Sequence, residues 1–589
     1  MPNQSGRQKF TKSVFLATFS AAVFVSAVAS AQEAPNVAPT TYTLTVTLAG
    51  SSTGTVTSSP AGISCGTTCS ASFAAGTLVK LTATAGQGAF FDGWSGACSG
   101  LHQCSVTMNA DTAATATFNV SQTVNVLNHI IFMAQENRGL DHYFGALRQY
   151  WRNNGFSDAS FDGLPQFNPI SGIPPLRGPA PTNPGCDPAY PPPADCTVDS
   201  SSPSVKSVHL LTQCIENPSP SWNEGHQDWN RLEPISATPT LDGYVYTAAH
   251  DARNNQPPFF DTLGRRVMGY YDDTDLNYYY YMASQFAISD RWFAPAMTRT
   301  SPNREYMLAA TSQGYAYPVG SNPKDQNLLT ATTIFQELQN AGISWKIYVD
   351  TDYTPCSTNP TPACLLTLSY MVNFTFGQTI VQSYPNNLAT IPDYLSDVQN
   401  GTLPQVALIE PASGASLDEH GSDSDKYPVD IQAGANFVSS LINPLMNSVS
   451  WKDSVFILTY DEAGGLYDHV PAQKTIAPDT FTHPVDLEPG DICTGNKGPN
   501  CDFTYTGYRV PITVISPYSR KHYVDHKLAD HTAILKLIES RFNLAPLTKR
   551  DAIQTDMTQF FDFNFPPWMT PPTPPVQSQS GPCYLSHLP

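Results

Sequence analysis

The sequence predicts an α/β domain, a mostly parallel sheet with helices on both faces, preceded by a small N-terminal all-β module. Two observations predict the large domain: β-branched, apolar runs have the length of strands, and segments with apolar residues at helical spacing alternate with them. A third observation predicts the module, because residues 42–120 are rich in Thr, Ser, Gly and Ala and alternate between polar and apolar side chains.

The N-terminus has the order of a secretory signal peptide. Residues 1–31 begin with basic side chains, continue with a short apolar run and end in Ala-Ser-Ala, which predicts cleavage after Ala31. An uncleaved membrane anchor is the alternative, although the apolar run is short for a bilayer. Residues 32–41 follow as a spacer, so we expect a secreted or periplasmic protein.

The cysteines agree with export, since disulfides form in oxidising compartments. Most of the 12 cysteines fall into close sequence pairs, and the two that remain would tie the C-terminal tail to the body of the protein. The simplest pairing is Cys65 with Cys69, Cys98 with Cys104, Cys186 with Cys196, Cys356 with Cys364, Cys493 with Cys501, and Cys214 with Cys583. Sequence alone leaves other connectivities open.

The charge balance excludes one class of partner. Lys and Arg number 30 and Asp and Glu number 49, which gives a formal net charge of -19. A nucleic-acid partner requires a basic face, so we expect none. The chain shows no evident amphipathic or polybasic membrane element that would independently support binding to a lipid surface, and peripheral membrane contact stays an open alternative.

The large domain is predicted over residues 124–563. Its strand-like runs are "HIIFMAQ", "SWKIYVD", "QVALIEP", "SVFILTYDE" and "RVPITVISP". Its helix-like segments are "TTIFQELQNAG", "AGANFVSSLINPLMNS" and "DHTAILKLIESRFNL". Dense proline in residues 163–203 predicts a loop pinned by a disulfide, and residues 564–589 form a Pro-rich tail that we expect to be extended and poorly packed.

Acidic and amide side chains follow two of the predicted strands. Glu136 and Asn137 come after "HIIFMAQ", and Asp461 and Glu462 come after "SVFILTY". Ligands of α/β sheets bind beyond the carboxyl ends of the strands, and carboxylates with a neutral amide suit a divalent cation. The sequence therefore predicts a divalent metal ion of unknown identity here, with an ordinary polar loop or helix cap as the alternative.

A pair of hydroxyl side chains stands where a loop enters a predicted helix. Thr300 and Ser301 precede Pro302, and proline is favoured in the first turn of a helix. Unpaired N–H groups at this end suit a phosphate, and a nearby metal would make the hydroxyl a nucleophile. Simple N-capping by either residue is the alternative.

Residues 42–120 resemble the divergent β-repeat module of bacterial exported and surface proteins. The paired cysteines and "FDGWSGAC" carry this resemblance. The resemblance implies a spacer or adhesive role, with a ligand that the sequence does not identify.

The motifs of the large domain together resemble the bacterial phosphoesterase family of secreted phospholipases C and related acid phosphatases. "QENRGLDHYFG", "TSPNREY", "YDEAGGLYDHV" and "GYRVPITVISPYSR" occur in the family's order within residues 124–544. The resemblance implies an alkaline-phosphatase-like fold with a metal at the strand ends. The metal ligands that it implies are Glu136, Asn137, Asp461 and Glu462.

The same resemblance implies roles for residues outside the metal ligands. The nucleophile falls on Thr300, with Ser301 as the rival because phosphatase relatives use serine. Asn303 and Arg304, which complete the Thr-x-Pro-Asn-Arg pattern, are expected to contact the substrate. The histidine that contacts phosphate or protonates the leaving group is sought among two candidates, His420 in "SLDEHGSDSD" and, more weakly, His226 in "SWNEGHQDWN".

The predicted function is phospholipase C-type hydrolysis of phospholipids by an exported, metal-dependent phosphoesterase. The first alternative is an acid phosphatase that acts on small phosphomonoesters. The second is a surface-binding protein with a degraded catalytic domain. Pro220 and Gly421 favour the surface-binding interpretation, because relatives often carry histidine and proline, respectively, at these positions. The intact set of ligand and nucleophile residues argues against it.

Overall fold

The computed structural model of the protein describes residues 39–170, 176–256, 258–320, 328–422, 429–478, 481–495 and 497–586. The predicted signal peptide and most of the predicted spacer therefore lie outside the described residues. The chain divides into two compact units, with the boundary after Val120. Within the described ranges, no helix has the length and apolar character that a membrane span requires.

The N-terminal unit contains two four-stranded sheets. In pairing order, their strands are Ser70–Ala74, Thr41–Ala49, Thr112–Val120 and Ala89–Gly96 in one sheet, and Ser64–Cys65, Gly54–Ser59, Leu78–Ala85 and Cys104–Thr107 in the other. Val79 and Leu81 alternate with exposed residues, and they share one core with Leu44 and Phe118 of the other sheet. The all-β prediction is confirmed.

An eight-stranded sheet lies at the centre of the second unit. In pairing order, its strands are Leu388–Thr390, Trp345–Val349, Val406–Ile409, His129–Gln135, Ser454–Tyr460, Ile512–Ile515, Ala287–Ser289 and Tyr523–Asp525. The first five strands are parallel, and Ile512–Ile515 is antiparallel to both of its neighbours. The predicted α/β class with a mostly parallel sheet is confirmed.

The central strands are continuous apolar runs because both faces of the sheet are covered. All seven residues of Ser454–Tyr460 are buried, although successive side chains point to opposite faces. A half-exposed strand would instead alternate between polar and apolar residues.

Helices pack around this sheet. They are Leu140–Phe144, Leu147–Asn154, Trp222–Trp229, Tyr244–Asn254, Asn277–Gln285, Thr300–Ala309, Ile334–Asn340, Pro362–Leu366, Thr375–Ser383, Ile391–Asn400, Ile431–Met446, Thr532–Phe542 and Lys549–Ala552. Two of the three segments with helical spacing begin at a side-chain N-cap, Thr333 and Asp430, and the third begins after His531 without one. Asp430 Oδ1, for example, accepts a hydrogen bond from Gln432 N at 2.7 Å at the start of the longest of these helices.

The structure pairs the cysteines as the simplest scheme predicts, and no described cysteine is free. The proline-dense segment, predicted as a loop, is pinned by Cys186–Cys196. It also contains short strands, since Thr182–Pro184 pairs with Ser204–Lys206.

The C-terminal tail packs against the rest of the second unit, so the prediction of poor packing is wrong. Trp568 and Gln577 are only 8% and 2% exposed. Gln577 Nε2 donates a hydrogen bond to the Asp275 carbonyl oxygen at 2.8 Å, and Cys583 is bonded to Cys214. Proline-rich composition predicts the irregular backbone, but it carries no information about these long-range contacts.

Candidate active site

Two neighbouring strands end in the residues that were predicted as metal ligands. Their parallel register places Tyr460 opposite Gln135, so Asp461 and Glu136 follow side by side at one edge of the sheet. Asp461 N donates to the Gln135 carbonyl oxygen at 3.0 Å. Asn137 N donates to Asp461 Oδ1 at 2.9 Å. The fold therefore brings the two sequence motifs together.

We call Glu136, Asn137, Asp461 and Glu462 the strand-end cluster. Each of the four residues is 3% exposed or less. Gly464 closes the turn after Glu462, where its φ is 71° and an added Cβ would lie 2.2 Å from the Asn137 carbonyl oxygen. Gly464 N also donates to Glu462 Oε2 at 2.6 Å, so the turn fixes this carboxylate.

The predicted nucleophile touches this cluster. Thr300 is the first residue of the helix Thr300–Ala309 and is half-buried. Its Oγ1 lies within hydrogen-bond distance of Glu136 Oε2 at 3.2 Å and Asn137 Oδ1 at 3.3 Å. Of the two hydroxyl candidates, Thr300 makes the described hydrogen-bond contacts with the cluster, whereas its rival Ser301 lines a neighbouring pocket.

A buried arginine offsets the charge of the cluster. The Arg304 guanidinium lies 2.9 Å from Glu136 Oε1, 3.4 Å from Asp461 Oδ2 and 3.6 Å from Glu410 Oε2. Arg304 is fully buried, so in this structure it faces these carboxylates and not a bound substrate. This orientation does not support the expected substrate contact of Arg304, which stays a prediction.

Asn303 also faces the interior. Its Oδ1 accepts a hydrogen bond from Ala296 N at 2.9 Å, and its Nδ2 donates to the Thr298 carbonyl oxygen at 2.8 Å. Both ends of this fully buried side chain are therefore used to hold the loop that leads to Thr300. The expected substrate contact of Asn303 is not supported by this placement and stays a prediction.

The donor set of the cluster fits a divalent cation. Burial raises the pKa of Glu136 and of Glu462, and in both cases the nearby Asp461 carboxylate raises it further, while Arg304 opposes the shift at Glu136. Glu462 Oε1 is buried and has no hydrogen-bond or ion-pair partner among the described residues, whereas Asp461 Oδ2 accepts no hydrogen bond but faces Arg304 Nε at 3.4 Å. A buried carboxylate oxygen without a donor, such as Glu462 Oε1, is the kind of ligand that a hard divalent cation takes. Metal ligation itself stays a prediction.

The two candidate histidines differ in their surroundings. His420 is half-buried, and its Nδ1 lies 2.8 Å from the Gly421 carbonyl oxygen. Its loop contacts the cluster through the backbone, because Glu136 N donates a hydrogen bond to the Asp418 carbonyl oxygen. His226 is fully buried, and the structure does not leave its ring open to a substrate.

The contacts of the His226 ring explain this. Its Nδ1 lies 2.7 Å from the Trp222 carbonyl oxygen and its Nε2 lies 3.0 Å from the Asn500 carbonyl oxygen. Burial lowers the pKa of this imidazole, while the two carbonyl contacts oppose that shift, and both ring nitrogens are occupied by these contacts. The expectation that His226 acts on the leaving group therefore lacks support in this structure.

Sequence reasoning missed two residues at the cluster, Glu410 and Tyr370. Glu410 follows the strand Val406–Ile409 directly, and Ser369 Oγ donates to its Oε1 at 2.7 Å. The rule that found the other acids, a carboxylate just after a buried strand, would have found Glu410 in "QVALIEP". The Tyr370 hydroxyl lies 3.4 Å from Glu136 Oε1, and no local pattern around Tyr370 signals this contact.

A separate ion-pair network joins Asp141, Asp468 and His469. Asp141, Asp468 and His469 offer ligand atoms within 4.8 Å of one another, as a metal site requires. The Arg509 guanidinium, however, contacts both carboxylates, so a cation is already present. Burial lowers the pKa of His469, but the adjacent Asp141 carboxylate raises it to about 9, which keeps the ring charged and paired.

Comparison with protein families identifies both units. The Phosphoesterase family model matches residues 127–545, and the Divergent InlB B-repeat domain model matches residues 42–122. Both resemblances that the sequence motifs carry are confirmed.

Individual relatives were compared as well. Phospholipase C B of Mycobacterium tuberculosis is 31% identical over 463 residues, which cover 75% of this chain and 78% of that protein. Non-hemolytic phospholipase C of Burkholderia pseudomallei is 27% identical, with 78% of this chain and 62% of that protein covered. A solved structure from the alkaline phosphatase superfamily of Vibrio parahaemolyticus is 13% identical, covers 47% of this chain and 63% of its own, and has a TM-score of 0.28.

Proposed function

The chain belongs to the phosphoesterase family, and we propose that it is a metal-dependent phospholipase C-type enzyme in which Thr300 is the nucleophile. Membership makes it a hydrolase of phosphoester bonds, and relatives that are named phospholipase C support a phospholipid substrate. The observation that carries the proposal is the contact of Thr300 Oγ1 with Glu136 and Asn137 at the edge of the sheet.

The proposed reaction has two displacements at phosphorus. Thr300 Oγ1 gives up its proton to water and bonds to phosphorus, and the bond from phosphorus to the diacylglycerol oxygen breaks. The leaving oxygen takes a proton, for which half-buried His420 is better placed than enclosed His226. In the second displacement the oxygen of a water molecule bonds to phosphorus and the bond from phosphorus to Thr300 Oγ1 breaks. Thr300 Oγ1 takes up a proton from that water, and the phosphorylated headgroup is released.

Two features of the chain support this role of Thr300. It opens a ten-residue helix, whose first N–H groups and dipole favour a phosphate at this end. Arg304 and Asn303 hold the helix start against the strand-end cluster from inside the protein. A divalent cation in the cluster would lower the pKa of the hydroxyl and offset negative charge on the phosphate oxygens.

We further propose that the protein is exported, with residues 1–31 removed as a signal peptide. Six disulfides support an oxidising destination. The β-repeat unit, residues 42–120, is proposed as a spacer or adhesive module with a separate ligand.

The mature chain is expected to release nitrophenol from nitrophenyl phosphorylcholine faster than from nitrophenyl phosphate. A diester carries one negative charge at phosphorus, and the described cluster offers few cationic contacts for the second charge of a monoester. Parallel assays of both substrates with added divalent metals measure this preference. Turnover of the monoester alone would indicate the acid phosphatase, and turnover of neither would favour the surface-binding protein.

Divalent metal is expected to stabilise the folded protein through the strand-end cluster. At a free metal concentration of 100 times Kd, the free energy of unfolding should rise by about 2.7 kcal/mol. Asp461→Asn should abolish most of this gain, because it removes the negative charge of a fully buried member of the proposed ligand set. Thermal unfolding of the chelated protein with and without added metal measures the effect.

The matched control for this prediction is Asp352→Asn, which changes an exposed carboxylate. It should keep the full metal-dependent gain. An Asp461→Asn variant that gains as much stability from metal as the wild type would contradict the proposed ligand set.

A further inference from the structure

A pocket of about 320 Å³ opens beside the proposed nucleophile. Ser301, the neighbour of Thr300, lines one side of it. Tyr370, whose hydroxyl lies 3.4 Å from Glu136 Oε1, lines another. The volume is at the lower end of the range for small-molecule sites, so the pocket has room for one substituent of a phosphodiester and not for a lipid tail pair.

Asp350 supplies the acidic group of this pocket. It follows the strand Trp345–Val349 directly, just as Glu136, Glu410 and Asp461 follow theirs. Those three carboxylates form ion pairs with Arg304, whereas Asp350 forms no ion pair with any described residue. Its described hydrogen-bond partner is Asp352 N, at 3.2 Å.

The other walls of the pocket combine hydroxyls with apolar surface. None of its twelve described lining residues is basic. Thr354 and Ser369 contribute hydroxyls, and Leu368 and Val372 contribute apolar side chains. A half-buried carboxylate next to apolar side chains favours a cationic ligand that carries alkyl substituents. The positive charge of the ligand pairs with Asp350, and its alkyl groups are removed from water against the apolar wall.

The walls are held in place by the fold. The Cys356–Cys364 disulfide closes the loop between the Asp350 side and the Leu368 side. Gly414 packs tightly on the same loop, because an added Cβ would lie 2.4 Å from Thr354 Cγ2. The pocket is thus formed before any ligand binds, which lowers the ordering cost of recognition.

We propose that this pocket receives the ammonium-bearing substituent of a phosphodiester substrate, with Asp350 as the partner of the ammonium charge. This inference rests on the proposed function, because it assumes that phosphorus is attacked by Thr300. Ser301, which lines the pocket, directly follows Thr300 in the chain, so the pocket adjoins the position at which phosphorus would be attacked. Asp350 is then a specificity-determining residue that contacts the substrate and not the reacting atoms.

Two diesters of the same shape test the proposal. One is nitrophenyl phosphorylcholine, and the other is nitrophenyl 3,3-dimethylbutyl phosphate, in which carbon replaces the charged nitrogen. Wild type should prefer the choline diester, which carries the ammonium group. Asp350→Asn should lower kcat/KM for the choline diester about tenfold, as expected for a partly buried ion pair, and leave kcat/KM for the dimethylbutyl diester within about twofold. Asp352→Asn, an exposed neighbour outside the pocket, is the control and should keep the preference.

An equal loss on both diesters, or an unchanged preference, would overturn the role of Asp350. Calorimetric titration of the full chain with choline and with 3,3-dimethylbutanol separates this result from failure of the proposed function. If neither diester is hydrolysed but Asp350→Asn weakens choline binding about tenfold, the proposed function fails and the pocket assignment holds. Equal choline binding by both proteins, or no binding by the wild type, would refute the pocket assignment.

Discussion

Replacing Thr300 by alanine is expected to lower diester turnover by roughly a thousandfold or more. The variant loses the oxygen that would bond to phosphorus, while the strand-end cluster beside it keeps its residues. Thr300→Ser should retain measurable turnover, because serine keeps the hydroxyl in the first turn of the same helix. Initial rates of nitrophenol release from nitrophenyl phosphorylcholine measure all three proteins.

Ser301→Ala tests the rival nucleophile in the same assay. It should retain far more turnover than Thr300→Ala, since Ser301 lies in the wall of the pocket and Thr300 contacts Glu136 and Asn137. Acid quenching followed by peptide mass analysis should place a phosphorylcholine adduct on Thr300 in the wild type. A larger loss in Ser301→Ala, or an adduct on Ser301, would transfer the role to the serine.

The fold was predictable where burial leaves a local pattern. The strand Ser454–Tyr460 is buried along its whole length, so its sequence is an uninterrupted apolar run. The cysteine pairs were predictable because most of them close short loops. The packed tail was not, because Gln577 and Trp568 are held by partners far away in the sequence, and their proline-rich surroundings resemble those of a free segment.

One sequence rule predicted part of the site. Carboxylates directly after buried strands identified Glu136 and Asp461, and the same rule extends to Glu410 and Asp350. Roles that depend on orientation were not predictable. Arg304 belongs to the motif, but only the fold shows that its side chain turns inward to the carboxylates.

Arg304, whose side chain points into the protein, also affects the free-energy cost of bringing these carboxylates together. Three strand ends bring the carboxylates of Glu136, Glu410 and Asp461 into one buried region, where burial raises the pKa of both glutamates. Charged carboxylates in such a place repel one another unless a cation lies among them. Arg304 is that cation among the described side chains, and a divalent metal would add a second.

Arg304→Met is therefore expected to lower the free energy of unfolding by about 3–5 kcal/mol, the usual cost of removing one partner from a buried ion pair. Denaturant unfolding followed by tryptophan fluorescence measures it, because Trp94 is the one tryptophan of the N-terminal unit and the signal reports mainly the second. Arg299→Met, an exposed arginine at the start of the same helix, should change stability by less than about 0.5 kcal/mol. Added divalent metal should reduce the difference in the free energy of unfolding between Arg304→Met and wild type, because the metal and the guanidinium offset the same carboxylates. A difference that metal leaves unchanged would mean that these carboxylates do not hold the metal. An Arg304→Met variant as stable as Arg299→Met would mean that the carboxylates are not charged in the folded protein.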